Sequence, residues 1–294
     1  MKTIIITGAN SGIGFETAKY LALKGNNVIA ASRKKDETLK AIDNLNLQCK
    51  KANSKGRVVF YHLDLNDLNS VNSFAQQIIA EYHKIDTLIC NAGIMNSPFK
   101  TTIDGYEQQF QTNFLSHFYL THLLIDTINK SDNPKIINVC SASAEKGTIN
   151  SVDELERISK VLEQEYDAMK SYREAKLAQQ ISVLQFARMV EYKNIKFSVL
   201  HPGIVNTNLF YRNSGFLYKM IMVPFVYLGY AFGFFKTPKQ GAETSIFLAI
   251  NEDYESGFYW NNTKKIKPNP ISKDENSAKE LYKWAMNEIN KRKQ

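Results

Sequence analysis

The sequence predicts a doubly wound α/β domain over residues 1–294, a parallel sheet in a three-layer α/β/α arrangement with an apolar substrate lid. Three observations predict it. Short apolar runs alternate with longer amphipathic stretches, a glycine-rich turn joins the first run to the first stretch, and neither a repeat nor a low-complexity linker interrupts the 294 residues.

Strands are expected over 3–7, 27–31, 57–62, 86–90, 135–140 and 195–201. Helices are expected over 13–24, 36–48, 68–82, 104–128 and 168–192. Repeated β-α units bury a parallel sheet on both faces. Right-handed crossovers then place the ligand loops beyond the carboxyl ends of the strands. Two segments break the rhythm. Residues 151–167 predict a short charged helix opened by a Ser or Asp cap. Residues 206–236 are aromatic and apolar and follow a Pro-Gly. Both are expected at or beside the site rim. Residues 272–294 predict a capped amphipathic surface helix.

Apolar residues make up 44%, enough for a large core. The formal charge of +8 reads as a lysine-rich solvated surface. No basic stretch is interleaved with aromatics for base stacking, so no nucleic-acid partner is expected. Cys49, Cys90 and Cys140 form no close pair, which argues against a disulfide framework and for a reducing, intracellular compartment. Cys90 and Cys140 lie in apolar runs and read as buried hydrophobes. The five histidines lack ligand spacing, so no metal site is expected. The chain enters its first strand at Thr3, without a basic-then-apolar leader. The N-x-S/T triplets at Asn129 and Asn261 then read as chance.

Gly8, Asn10, Ser11, Gly12, Ile13 and Gly14 lie between the first strand and first helix. Glycines there permit a tight turn and close approach to a diphosphate, and the helix amino end supplies free amides. A dinucleotide is the expected ligand. Sites that prefer NAD carry an acidic residue about 20 positions after the glycines. Here the second strand ends at Arg33, whose paired donors suit a 2′-phosphate. NADP(H) is therefore expected over NAD(H). Asp36 and Glu37 read as charges at a helix amino end.

Tyr172 and Lys176 are spaced i, i+4, which puts them on one helix face. An ammonium near a phenol favours the phenolate, so Tyr172 could give a proton to a carbonyl oxygen or take one from an alcohol. Lys176 is expected to bond the nicotinamide ribose. Ser141 and Ser143 both follow the fifth strand, and either hydroxyl could hold the substrate oxygen.

Together these features resemble the short-chain dehydrogenase/reductase family, whose fold is a Rossmann-type sheet. The spacing G-x-x-x-G-x-G matches its glycine loop. The resemblance covers nearly the whole chain and implies further roles. Asp64 and Leu65 match its adenine-contacting pair. Asn91, Ala92 and Gly93 match its Asn-Ala-Gly motif. Ser141, rather than Ser143, aligns with its catalytic serine. Asn113 matches the asparagine that holds a water linking the lysine to solvent. Pro202, Gly203, Val205 and Thr207 match the segment that caps the nicotinamide, with the Val205 backbone and Thr207 near its amide.

A closer resemblance is to the retinol dehydrogenase-like branch. It rests on the Thr7–Gly14 loop, Ala31-Ser32-Arg33, Ala175-Lys176-Leu177-Ala178, His201-Pro202-Gly203, Lys236-Thr237-Pro238-Lys239-Gln240-Gly241-Ala242 and Ser256-Gly257-Phe258-Tyr259-Trp260. Two departures stand out. Ala175 replaces a serine frequent in that branch, and Ser141 and Tyr172 are 31 positions apart, a long interval for the family. The resemblance implies an NADP(H)-linked oxidoreductase of hydrophobic alcohols, aldehydes or ketones, retinoid-, steroid- or lipid-like. A non-catalytic dinucleotide-binding protein is the competing class, and the complete Asn113, Ser141, Tyr172, Lys176 set favours the enzyme. A sugar-nucleotide epimerase is disfavoured by the glycine spacing. Residues 216–235 are read first as a lid with an apolar inner face, second as a peripheral membrane contact and third as a core helix. The expected location is the cytoplasm or the cytosolic face of a membrane.

Overall fold

The computed structural model describes residues 1–205 and 235–291. Its centre is one eight-stranded sheet in the order β3-β2-β1-β4-β5-β6-β7-β8. The strands are β1 (Thr3–Thr7), β2 (Asn27–Ser32), β3 (Arg57–His62), β4 (Thr87–Cys90), β5 (Lys135–Val139), β6 (Lys196–Leu200), β7 (Phe258–Asn261) and β8 (Lys264–Ile266). All neighbours are parallel except β7 and β8, which pair antiparallel. The order reverses at β1, with β2 on one side and β4 on the other, and this opens a crevice beyond their carboxyl ends.

The apolar runs form central strands because both faces are covered. Ile4 and Ile6 enter one core and Ile5 the other, as the two-residue period of a strand requires. The first core lies under α1 (Gly12–Leu23), α2 (Lys35–Lys51) and α8 (Pro238–Ile250). The second lies under α3 (Leu68–Glu81), α5 (Ser116–Asn129), α7 (Ala168–Arg188) and α9 (Glu275–Asn290). Side chains start several helices by accepting orphan amides: Asp67 for α3, Asp167 for α7 and Asp274 for α9. At α8, Thr237 and Gln240 form a reciprocal capping box with Pro238 in the first turn.

Several boundaries differ from expectation. The helix expected over 104–128 starts only at α4 (Gln108–Phe110), runs through a π turn at Gln111–Leu115, and continues as α5. Gly105 turns the preceding chain at φ +85°, and the Glu107 carboxylate accepts the Gln109 and Phe110 amides. The helix expected over 151–167 is helical only as α6 (Val152–Ser159), with a 3-10 turn at Glu163–Glu165. Only its first part has an apolar face, on which Leu155 and Ile158 are buried. The stretch 168–192 leaves the helix after Arg188, because Met189 is extended. The tail helix begins at Glu275, after a 3-10 turn at Pro270–Lys273.

The strands β7 and β8 and the helix α8 are additions that periodicity did not predict. Asn262 (φ 48°) and Thr263 (φ 60°) turn β7 into β8, with two consecutive positive φ values as a type I′ hairpin needs. The turn carries no glycine, so its usual signal is missing. Beneath α8, fully buried Lys135 donates to the carbonyls of Leu248, Ala249 and Asn251. It thereby closes the carboxyl end of that helix. All three cysteines are buried and free. Among the described residues no helix is long and apolar enough to cross a membrane. The lid or membrane segment expected over 206–236 lies, except for Phe235 and Lys236, outside the described residues.

Candidate active site

The chain reversal at β1 leaves an open cleft of about 570 Å³ along the carboxyl ends of the strands. The glycine loop forms its floor. Ser11 precedes α1 with extended backbone, its side chain caps no amide, and the first turn of α1 carries no acidic residue. That helix end suits an anion, as a diphosphate requires. Gly8, Asn10, Ser11, Gly12 and Ile13 line the cleft, whereas Gly14 does not. A Cβ on Gly14 would lie 2.4 Å from Asn91 Nδ2 and 2.5 Å from the Gly8 carbonyl oxygen. Gly14 seats the helix on the loop.

One residue the sequence reading passed over organises this end of the sheet. Thr7 Oγ1 accepts the amides of Asn91 and Ala92, both at 2.9 Å. Asn91 Nδ2 returns a bond to the Thr7 carbonyl at 2.8 Å. The Asn91-Ala92-Gly93 segment is thus tied to the end of β1, and all three residues line the cleft. A hydroxyl ending an apolar strand was the available signal.

At the other end, Arg33, Asp64 and Leu65 line the cleft together. Arg33 Nη1 lies 3.7 Å from Asp64 Oδ2. Asp64 Oδ1 accepts both the backbone and side-chain nitrogens of Asn66. Lys34 and Glu37 also border the cleft and form an ion pair at 2.5 Å. Glu37 stands in the first turn of α2, as expected for an amino-end charge.

Tyr172 and Lys176 project from α7 into the same cleft, and Ser141 meets them from the end of β5. The Ser141 hydroxyl stands toward Tyr172 and acts to lower its pKa. It also accepts the Ser143 amide at 3.2 Å, so Ser143 orients Ser141 and does not itself line the cleft. Burial pushes the Tyr172 phenol up to about 12, against the lowering effect of the Ser141 hydroxyl. Lys176 is not among the groups that shift the phenol. Lys176 Nζ instead donates to the Val139 carbonyl at 2.9 Å and to Gln179 Oε1 at 3.1 Å. Burial lowers the Lys176 pKa.

Asn113 sits in the π turn, fully buried, and does not line the cleft. Its side chain accepts the Ile94 amide at 3.0 Å and donates to the Ile94 carbonyl at 2.9 Å. A Cβ on Gly93 would stand 2.8 Å from Asn113 Oδ1 and 3.7 Å from Lys176 Nζ. Asn113 thus lies directly behind Gly93, close to Lys176. Pro202, Gly203 and Val205 border the cleft after β6, and Thr207 lies outside the described residues. His201, beside them, is pushed down to about 4 by burial and by Lys236. The segment 151–167 does not line the cleft. It packs on α9, where Glu156 accepts from the Trp284 indole, and Tyr166 donates to the Ser97 carbonyl.

A glycine loop at the sheet switch point, with a serine, tyrosine and lysine on one cleft floor, defines a class. Residues 2–152 match the family described as short chain dehydrogenase, and the chain belongs to it. It is an oxidoreductase acting on CH–OH groups, of a family that binds a nicotinamide dinucleotide. Within the family it is retinol dehydrogenase-like. Human retinol dehydrogenase 14 is 36% identical over 299 residues, which span 98% of this chain and 85% of that protein. Mouse retinol dehydrogenase 13 is 35% identical over 287 residues, spanning 96% of this chain and 81% of that protein. Among solved structures, an uncharacterised protein from Mycobacterium paratuberculosis superposes with a TM-score of 0.75 at 26% identity, over 99% of this chain and 94% of that one.

Proposed function

We propose that this enzyme uses NADP(H) to interconvert hydrophobic alcohols with their aldehydes or ketones, with Tyr172 as general acid and base. The convergence of Ser141, Tyr172 and Lys176 on one cleft with the glycine loop carries this reading. The bound dinucleotide supplies or accepts the hydride at the carbonyl carbon. In reduction, the substrate oxygen sits between the two hydroxyls and takes the Tyr172 proton. Ser141 holds that oxygen by donating its single hydroxyl proton to it. In oxidation the same proton moves from the alcohol to Tyr172. Lys176 keeps a positive charge on the floor beside Gly93, where it stabilises the phenolate and reaches the ribose.

Arg33 at the far end supports NADP(H), since no carboxylate takes its place at the end of β2. Glycine-loop residues Gly8, Asn10, Ser11, Gly12 and Ile13 are assigned to the diphosphate, with Gly14 seating α1. Asp64 and Leu65 are assigned to the adenine, and Asn91, Ala92 and Gly93 to the nicotinamide-side sugar. Pro202, Gly203, Val205 and Thr207 are assigned to the nicotinamide, and Asn113 to the backing of Lys176. The retinol dehydrogenases at 36% and 35% identity support a retinoid-, steroid- or lipid-like substrate. The apolar segment 206–236 is assigned to covering that substrate, with membrane contact through 216–235 as the second reading.

NADPH consumption across a panel of apolar aldehydes and ketones tests the reaction, with Tyr172→Phe alongside. The parent should turn over at least one of them and the variant should be slower by about 10²- to 10⁴-fold. An unchanged rate in Tyr172→Phe would overturn the role given to the phenol.

A further inference from the structure

His117 takes no part in lining the cleft, yet it bonds both Thr7, at the end of β1, and Asn113, in the π turn behind Gly93. It lies in the first turn of α5, 1% exposed. Its Nε2 is 3.0 Å from Thr7 Oγ1, and its Nδ1 is 3.4 Å from the Asn113 carbonyl oxygen. The direction of each bond follows from counting. Thr7 Oγ1 already accepts two amides, from Asn91 and Ala92. A hydroxyl has two acceptor sites and one proton, so only the proton is left for His117. Nε2 must therefore accept, which places the ring proton on Nδ1, facing the Asn113 carbonyl.

Resting on the dinucleotide and Tyr172 reading above, we propose that His117 is a positioning residue that locks two halves of the site through a single neutral tautomer. On one side it fixes the Thr7 rotor, and with it the amides that press Ala92 against the glycine loop. That contact is close, since a Cβ on Gly8 would lie 3.0 Å from Ala92 Cα. On the other side it holds the carbonyl of Asn113 inside the π turn. That turn sets where the Asn113 amide meets Ile94, behind Gly93 and Lys176. His117, Asn138 and Gln179 also line one small cavity, so the ring shares a wall with the residue that accepts from Lys176. The imidazole's low pKa, from burial and from Lys176, agrees with a ring held neutral.

Two substitutions separate the two bonds. His117→Gln keeps an acceptor at the Nε2 position, within reach of Thr7, and loses the donor to Asn113. His117→Asn keeps a donor at the Nδ1 position and loses the acceptor for Thr7. Loss of one buried hydrogen bond should appear as about a tenfold change. His117→Asn should raise the Kd of NADPH, read by fluorescence titration without turnover, and spare kcat more. His117→Gln should leave that Kd within about twofold and lower kcat by about tenfold. Equal changes of Kd and kcat in both variants, or no change in either, would overturn the proposal. Nitrogen NMR of the histidine-labelled parent gives a reading that needs no His117 variant to fold. Substituting His62, His83, His122 and His201 in turn leaves the fifth ring assigned. An Nδ1–H tautomer is expected, and an Nε2–H tautomer overturns the proposal. If the parent binds NADPH but reduces no carbonyl, the proposed reaction fails while the Kd and tautomer readings still decide the role of His117.

Discussion

Arg33 Nη1 faces Asp64 Oδ2 across 3.7 Å at one end of the cleft, so the cation proposed for a phosphate and the carboxylate proposed for adenine are one pair. The pair is partly solvated, and its own strength is small. Both groups line the same cleft wall.

Arg33→Ala should therefore act on one cofactor more than the other. Paired charge-assisted bonds to a phosphate are worth roughly 10- to 100-fold in binding. The KM for NADPH should rise by about that factor, with kcat/KM for NADH little changed. Steady-state kinetics with both cofactors checks it. An equal loss with NADH would show that Arg33 serves the fold and not the phosphate.

Lys176 is held by a backbone carbonyl and by Gln179. Lys176→Met should remove the charge without disturbing Tyr172 packing, and kcat/KM should drop by about 10²-fold or more. Gln179→Leu should give a smaller loss, because the Val139 carbonyl remains. A pair of variants with equal losses would contradict this ranking.

The Tyr172 phenol, pushed up to about 12, stays protonated across the neutral range. In the reductive direction kcat/KM should be nearly flat from about pH 6 to 9, since the acid is already loaded. In the oxidative direction the rate should rise with pH over the same window, because the base form is scarce and grows with pH. A rate profile in both directions decides it, and an oxidative rate that falls with pH would count against Tyr172 as the base.

Glu174 stands beside Tyr172 on α7 but points elsewhere, with its carboxyl 3.9 Å from Lys170 Nζ. Burial pushes it up to about 7, against the pull of Lys170 and Arg157. The folded chain thus holds a proton that the unfolded chain releases near 4.5. Stability should fall as pH rises from about 4.5 to about 7 and level off above. Glu174→Gln should be the more stable protein at pH 8, with the gap closing toward pH 5. Urea midpoints at both values test the sign.

Thr263 occupies a left-handed position at φ 60°, where a branched residue is strained. Thr263→Gly should stabilise the fold by about 1 kcal/mol. A lower melting temperature in that variant would mean that the Thr263 side chain contributes more than the strain costs.

Much of this arrangement is local and was legible before any coordinates. Strands β1, β2, β4, β5 and β6 are buried almost throughout, so they stand out as apolar runs between turns. Gly8, Gly12 and Gly14 lie within one turn, and Tyr172 and Lys176 share a helix face by spacing alone. The edge hairpin escaped notice because β8 is Lys-Lys-Ile and its turn is Asn-Thr. The π turn at Gln111–Leu115 escaped because no composition marks it.

By itself, the sequence determined the α/β alternation and the glycine loop, and its family resemblance grouped Asn113, Ser141, Tyr172 and Lys176 as one expected set. Only the tertiary structure decided which of these face the cleft and which stand behind it. It placed Asn113 and Gly14 outside the lining, joined Arg33 to Asp64, and set the His117 tautomer through Thr7, 110 positions away. The physical reason is that hydrogen-bond direction and burial are settled by partners distant in sequence. Periodicity and spacing record only what neighbours along the chain require.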